Sequence, residues 1–262
     1  MPSEKMIARK ENGIGWLIFN NPERHNAVSY DMWVAAIEIT EDFIADDEVR
    51  VIVVAGAGEK SFISGADISK FDDERAEADA VERYNDATET AYTSILNAPK
   101  PTIAMIQGYC IGGGANLAIC CDLRIASEKA KFAIPAAKLG LGYDYPRVER
   151  VMDLIGPSFA KEIFFTARQF DAAEALAMGL VNRVVPHEEL TAYATDYARA
   201  IAENAPLTVK SIKVIAGEAL KDESQRDLAL CDRLVKACFE SEDYAEGRRA
   251  FKEKRKPAFT GR

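Results

Sequence analysis

An α/β fold is predicted by three features of this 262-residue sequence. Short apolar runs rich in β-branched residues recur along its first two thirds, and they lack the alternation of a half-exposed strand, as expected for parallel strands covered on both faces. Stretches of helical periodicity separate them, in the order strand, helix, strand, helix, strand, helix, strand. After Val185 strand signals become sparse and helical periodicity takes over.

Ile14 to Phe19 reads as a strand ended by the Asn20-Asn21-Pro22 turn. Ser29 stands at a helix start with Asp31 in the first turn, and Met32, Ala36, Ile39 and Phe43 follow at helical spacing. Val51 to Ala55 is a buried strand closed by Gly56-Ala-Gly58. An acidic tract leads into a second amphipathic helix through Val81, Tyr84, Thr88, Ala91, Tyr92 and Ile95, which Pro99 and Pro101 end. Thr102 to Ile106 is a strand, Gly108 to Gly114 a loop, Asn116 to Cys121 a short buried helix and Leu123 to Ala126 a strand. Asp171 with Glu174 makes a capping box, and Gly179 a helix stop. Helices are expected over Glu188–Glu203, Leu207–Leu220, Ser224–Phe239 and Glu242–Lys254. The expected organisation is an α/β core over residues 1–200 and a helical region over 201–262.

Hydrophobic residues make up 48% of the chain, enough for a sizeable core. Apolar runs such as Val51–Ala55 and Leu117–Cys121 fall far short of the roughly 20 residues needed to span a bilayer. No secretory signal is visible at the start, and the five cysteines are an odd number in mostly apolar settings. A cytoplasmic protein with reduced thiols is therefore expected, with no membrane association. No zinc-type spacing occurs, and His25 and His187 read as surface or half-buried turn residues. The net charge of -9 argues against nucleic-acid binding. It is uneven: Asp67 to Glu89 holds nine acids and three bases, whereas Tyr244 to Arg262 holds seven bases and two acids. The basic tail suits an anionic small molecule or an acidic partner; the alternative is a solvated helix end.

Two glycine loops carry the sharpest local signal. Gln107-Gly-Tyr-Cys-Ile-Gly-Gly-Gly-Ala-Asn116 follows a strand and opens a helix. Its glycines allow close approach to the backbone, and the N–H groups of the first helical turn point outward toward an anion or oxyanion. The alternative is a tight turn where strand and helix pack closely. It is neither a Walker loop nor a dinucleotide fingerprint. Lys60-Ser-Phe-Ile-Ser-Gly-Ala-Asp67 also follows a strand, and Gly65 could aim the Ala66 N–H into a shared cleft. An ordinary strand-to-helix turn is the alternative there.

Together these loops resemble the crotonase superfamily, the enoyl-CoA hydratase/isomerase family. The Gly108–Asp122 segment and Lys60-x-Phe-x-x-Gly-Ala-Asp67 resemble its two signature stretches. Asn20–Ala27, Ala173–Pro186 and Phe251-Lys-Glu-Lys-Arg255 resemble further segments, so the likeness spans nearly the whole chain. It implies a spiral of strand–strand–helix turns with C-terminal helices that build homotrimers, often paired as hexamers. It implies an acyl-CoA thioester as substrate, with coenzyme A entering as part of the substrate and no separate cofactor. The backbone N–H groups of Ala66 and Gly113 match the pair that holds the thioester oxygen. By position Arg24 and Ala27 fall on the CoA side, Gly65, Asp67, Ile68 and Gly112 around the oxyanion loops, and Phe251 and Lys254 where the family meets the CoA of a neighbouring subunit.

Hydratases of this family place two glutamates over the substrate. These positions match Asn116 and Ala136 here, and neither side chain can exchange a proton at neutral pH. Leu139-Gly-Leu-Gly-Tyr-Asp-Tyr-Pro146 puts Tyr143, Asp144 and Tyr145 where the family covers the acyl group. With Lys161–Thr166 it resembles the methylmalonyl-CoA decarboxylase branch, in which a tyrosine at the position of Tyr143 touches the substrate carboxylate, although that branch has His where Ala66 stands. Glu162–Gln169 also resembles dihydroxynaphthoyl-CoA synthases. Tyr143 could otherwise be a packing aromatic, and Asp144 a helix N-cap before Pro146. The expected activity is an acyl-CoA enzyme working through a thioester enolate, as a lyase removing CO2 from a malonyl-type CoA. The alternatives are a hydratase or isomerase using Asp144 or a tyrosine, and a non-catalytic acyl-CoA binder.

Overall fold

The computed structural model describes residues 4–67 and 78–262. Ile68 and the middle of the acidic tract lie outside them.

Among the described residues two sheets form the frame. In the larger the strands are β1 (Met6–Glu11), β2 (Ile14–Phe19), β3 (Val51–Gly56), β5 (Thr102–Ile106), β7 (Leu123–Ser127) and β10 (Arg183–Val185), in that spatial order. Only β1 is antiparallel to its neighbour; Ile14 pairs with Val51 and Ile52 with Thr102 in parallel register. Both faces of the central strands β3 and β5 are covered, which is why they read as unbroken apolar runs. Val51, Val53, Ile103 and Ile125 face a helix carrying Leu190, Ala194 and Ala198, whereas Ile52, Val54, Ala104 and Ile106 face the main core.

The smaller sheet has the order β4 (Ser61–Ile63), β6 (Tyr109–Ile111), β8 (Lys131–Ala133), β9 (Phe170–Asp171). It corrects the reading of Gly108 to Gly114 as a loop: Tyr109–Ile111 is a strand and the helix already begins at Gly113. Strands of two or three residues carry too little periodicity to be legible, and their pairing partners are distant in sequence. The alternation of one strand from each sheet followed by a helix (β3, β4, helix; β5, β6, helix) is the expected spiral.

Helix α1 (Tyr30–Ala45) buries Met32, Ala36, Ile39 and Phe43, the stripe the spacing predicts, and Trp33 besides. Ser29 occupies its N-cap position, but its side chain makes no capping bond. Helix α2 (Ala78–Leu96) packs Tyr84, Ala91, Tyr92 and Ile95 inward. Helix α3 (Gly113–Cys120) is buried along nearly its whole length. Arg124 caps its far end: Nη1 donates to the carbonyls of Cys121 (2.6 Å) and Ala118 (3.2 Å). That gives two carbonyls at this end a charged donor and complements the negative dipole end, leaving the positive end at Gly113.

Helix α4 (Tyr145–Thr166), broken at Gly156-Pro157, is a segment the periodicity did not predict. The capping box of Asp171 and Glu174 opens α5 (Ala172–Ala177) as expected. Helix α6 (Leu190–Ala202) covers the larger sheet, and α7 (Pro206–Leu220), α8 (Leu228–Glu240) and α9 (Glu242–Glu253) follow. The helix expected over Ser224–Phe239 is shorter at its start: Ser224 sits in a separate turn before α8. Ion pairing ties this region to the core through Lys213 Nζ and Asp122 Oδ2 at 2.8 Å, and Arg50 donates to the Phe259 carbonyl at 2.7 Å. Leu220, Leu228, Phe239 and Phe251 remain well exposed on it.

Candidate active site

The site is built on two backbone turns that meet. In the first, Asn26 is a buried spacer: its Nδ2 donates to the carbonyls of Ala57 (2.9 Å) and Ser61 (2.8 Å), and its Oδ1 accepts from the Asn21 N–H (3.0 Å). Asn21 Nδ2 in turn holds the Ala27 carbonyl at 2.9 Å. The next residue, Val28, pairs with Ala66 across a parallel bridge, donating to the Gly65 carbonyl and accepting from the Asp67 N–H, both at 2.9 Å. That pattern uses the groups on either side of Ala66 and turns the Ala66 N–H to the opposite side. Gly65 makes the turn at φ +108, a conformation side chains rarely adopt.

The second turn brings Gly113 alongside. Gly112 N–H donates to the Ala133 carbonyl at 2.8 Å, and α3 closes its first intrahelical bond from Asn116 N–H to Gly112 O. The Gly113 N–H therefore precedes that ladder. A Cβ on Gly113 would lie 3.9 Å from Gly65 Cα, so the two turns run side by side with room for little more than one methyl group between them. A Cβ on Gly114 would lie 2.2 Å from the Ile63 carbonyl oxygen, which leaves glycine as the only residue that fits between α3 and β4.

Two tyrosines of α2 hold the turns. Tyr92 Oη donates to the Gly113 carbonyl at 3.0 Å, and Tyr84 Oη donates to the Val28 carbonyl at 3.1 Å while accepting from Trp33 Nε1 at 3.1 Å. Sequence reasoning counted Tyr84 and Tyr92 as one apolar face; the only signal of another role is that buried tyrosine hydroxyls need partners.

The wall beside the turns carries Asn116 and Tyr143. Asn116 is 3% exposed; its Nδ2 donates to the Gly112 carbonyl at 3.0 Å and to Tyr143 Oη in a short bond. A carbonyl only accepts, so it fixes which amide atom is nitrogen, and the second amide proton then goes to the tyrosine oxygen. The phenol keeps its own proton to donate. Burial pushes the Tyr143 hydroxyl up to about 12, so it stays neutral. Ala136 is buried in the turn before this segment. Asp144 caps α4, accepting from the Arg147 N–H at 3.2 Å, and Tyr145 is 75% exposed with its hydroxyl on Glu149. Of this run only Tyr143 reaches Asn116.

Comparison with known proteins decides the lineage of this arrangement. The pattern of the family described as Enoyl-CoA hydratase/isomerase matches residues 9–262. A crotonyl-CoA hydratase of Syntrophomonas wolfei is 33% identical over 259 residues, covering 99% of each chain. The chain belongs to the enoyl-CoA hydratase/isomerase family. A carnitinyl-CoA dehydratase of Salmonella typhi is 35% identical, with 99% of this chain and 100% of that one covered. The crystal structure of an enoyl-CoA hydratase/carnithine racemase from Magnetospirillum magneticum superposes with a TM-score of 0.92 at 36% identity, over 99% of this chain and 97% of that one.

Within this family frame the structure gathers Ala27, Gly65, Ala66, Gly112, Gly113, Asn116 and Tyr143 around the two turns. Arg24 stands at the edge, its Nη1 3.7 Å from Oδ1 of the buried Asp67. Phe251 and Lys254 are not brought to the cleft of the same chain. Phe251 is 86% exposed and lines a groove of about 760 Å³ with Val235, Phe239 and Tyr244, and Lys254 ends α9 in a left-handed turn at φ 55. Much of the basic tail is spent internally: Glu246 pairs with Arg249 and Arg255, and Lys256 with Glu203 at 3.5 Å. Burial pushes the Cys120 thiol up to about 12 and those of Cys110 and Cys121 upward as well, so none is a ready nucleophile. Among the described residues no group of three or more His, Cys, Asp or Glu could hold a metal ion.

Proposed function

We propose that this chain is an acyl-CoA enzyme that holds a thioester oxygen between the Ala66 and Gly113 N–H groups and stabilises the enolate, and that its reaction is the decarboxylation of a malonyl-type CoA. One observation supports the reading: the turns that carry Ala66 and Gly113 lie side by side, and next to them Asn116 and Tyr143 offer an amide and a neutral phenol rather than carboxylates. Hydration needs a group to deliver and remove protons at a bound water. Decarboxylation needs none to make the enolate: the bond to the departing CO2 leaves its electron pair on the α carbon, and the charge settles on the thioester oxygen. The oxyanion donors then stabilise what forms in the transition state, each worth about 2.7–4 kcal/mol by analogy with other such donors. Tyr143 donates to the substrate carboxylate and holds it out of the thioester plane. A proton then adds to the α carbon of the enolate.

A second reading is supported by the printed names of the relatives, a crotonyl-CoA hydratase and a carnitinyl-CoA dehydratase. In it, Asp144 or Tyr143 handles the proton at a water. The mass of the product separates the two: loss of CO2 from a malonyl-type CoA supports the lyase, gain of water by an enoyl-CoA supports the hydratase. Gly113→Val is expected to abolish turnover of either kind; near-normal activity in a folded Gly113→Val protein overturns the oxyanion assignment. The C-terminal helices, with their exposed apolar side chains, are proposed to assemble homotrimers or hexamers, which would bring Phe251 and Lys254 to a neighbour's CoA.

A further inference from the structure

We propose that Arg147 is a specificity residue that pairs with a carboxylate carried by the acyl group, so that the chain selects CoA thioesters of diacids over those of plain fatty acids. The inference rests on the acyl-CoA reading above and names the side chain that would recognise the second charge.

Among the described residues the Arg147 guanidinium makes no hydrogen bond, although two carboxylates stand near it. Its Nε is fully buried and, among the described residues, has no hydrogen-bond partner. Asp144 Oδ2 at 3.4 Å and Glu89 Oε2 at 3.6 Å are close enough for attraction but not aligned for a bond. Both acids have other work. Glu89 takes a two-pronged pairing from Arg150, and Asp144 caps α4 with its side chain 48% exposed, where water screens it. A guanidinium offers five donors in a planar fork that fits a carboxylate edge-on, and burying one without such a partner is costly.

Its position relative to the cleft is what makes the partner a substrate. The guanidinium carbon lies 5.7 Å from the centre of the Tyr92 ring, and the hydroxyl of that ring holds the Gly113 carbonyl. One aromatic ring thus separates Arg147 from the oxyanion turn. The side chain is 19% exposed, so it is reachable. It is also near enough to Tyr143 for its charge to act on that hydroxyl. A thioester with its oxygen between Ala66 and Gly113 and its carboxylate on the Tyr143 side reaches toward Arg147.

The test is a set of length-matched pairs: malonyl- against propionyl-CoA, succinyl- against butyryl-CoA, and glutaryl- against pentanoyl-CoA. Affinities are titrated on the wild-type protein, Arg147→Met, Arg147→Gln and Arg147→Lys, with KM replacing Kd where mass analysis shows turnover. At least one diacid thioester is expected to bind the wild type about 10- to 150-fold more tightly than its neutral match, the range of a hydrogen bond to a charged group. That ratio should fall to about twofold in Arg147→Met and Arg147→Gln and recover in part in Arg147→Lys, which keeps the charge and loses the fork. No preference in the wild type, or a preference that survives in whichever neutral variant folds, overturns the proposal. Tight binding of the neutral thioesters alone leaves the acyl-CoA reading standing and ends this one. Failure of every thioester to bind ends both.

Discussion

Tyr143 and Asn116 illustrate how much one hydrogen bond decides at the scale of a residue. Had the amide accepted from the phenol, Tyr143 would have nothing left to offer a substrate; because Asn116 donates, the phenolic proton stays available. Tyr143→Phe keeps the ring, which packs on Phe164 at 5.0 Å, and removes only the hydroxyl. Losing a bond to a charged group costs about 1.5–3 kcal/mol, so kcat should fall about 10- to 150-fold with acyl-CoA affinity largely kept. A fully active Tyr143→Phe beside a dead Asp144→Asn would move the chemistry to the carboxylate. The donor also has a pH signature. Its folded value of about 12 lies above the ordinary 10.0, so the phenol remains protonated where a free tyrosine ionises. The alkaline limb of the kcat profile should therefore show no Tyr143-dependent fall with a midpoint near pH 10, checked by comparing the profiles of wild type and Tyr143→Phe.

Helix α2 acts as a clamp on the two turns, and α3 as a spacer between sheets. Tyr92→Phe removes one hydrogen bond to the Gly113 carbonyl and no bulk. A net bond is worth about 0.5–1.5 kcal/mol, so kcat should drop by roughly 2- to 12-fold with melting temperature little changed. An unchanged kcat would show that the turn holds itself. Glycine substitutions along α3 should grade by what a Cβ meets. At Gly113 it meets the end of a tyrosine at 3.2 Å, but at Gly114 it meets backbone at 2.2 Å. Gly114→Ala must push β4 away and should cost more than the roughly 1–3 kcal/mol typical of overpacking, whereas Gly113→Ala should stay within it; urea unfolding of both variants checks the order.

Two properties belong to the whole molecule. Phe251 lines a groove of the C-terminal helices rather than the two turns, so a role for it and Lys254 in CoA binding is expected to involve a second copy. Lys254→Ala should lower acyl-CoA affinity about two- to fivefold and flatten its salt dependence, the scale of one exposed ion pair; titrations at two ionic strengths that show neither change remove Lys254 from the site. Alkaline stability is the other. Cys120 and Tyr143 are raised from ordinary values of 9.0 and 10.0 to about 12, and Tyr92, Cys110 and Cys121 are raised in the same direction by burial. Above pH 9 the unfolded chain releases these protons and the folded one keeps them. The stability they contribute is full below pH 9 and is lost as pH rises toward 12. Tm should fall steadily from about pH 9 upward, and a Tm constant from pH 8 to 11 in thermal scans would contradict the burial of these groups.

By itself the sequence determined the fold class, the long buried strands, the stripes of α1 and α2 and the two glycine turns, because each rests on local chemistry: β-branched runs, 3.6-residue spacing, and backbone that only glycine allows. At the two positions that the resemblance matches to the family's paired carboxylates the sequence has Asn116 and Ala136. Tertiary structure decided the rest. The three-residue strands exist only through partners far along the chain, so no local pattern marks them. Tyr84 and Tyr92 read as core until the carbonyls of Val28 and Gly113 appear beside their hydroxyls. The basic tail reads as an anion site until Glu246 neutralises part of it. Arg147 carries no local signal in the sequence at all; its place beside the Tyr92 ring exists only in the fold. In each case the deciding quantity is which polar group a side chain meets across the fold, and a linear sequence does not contain that distance.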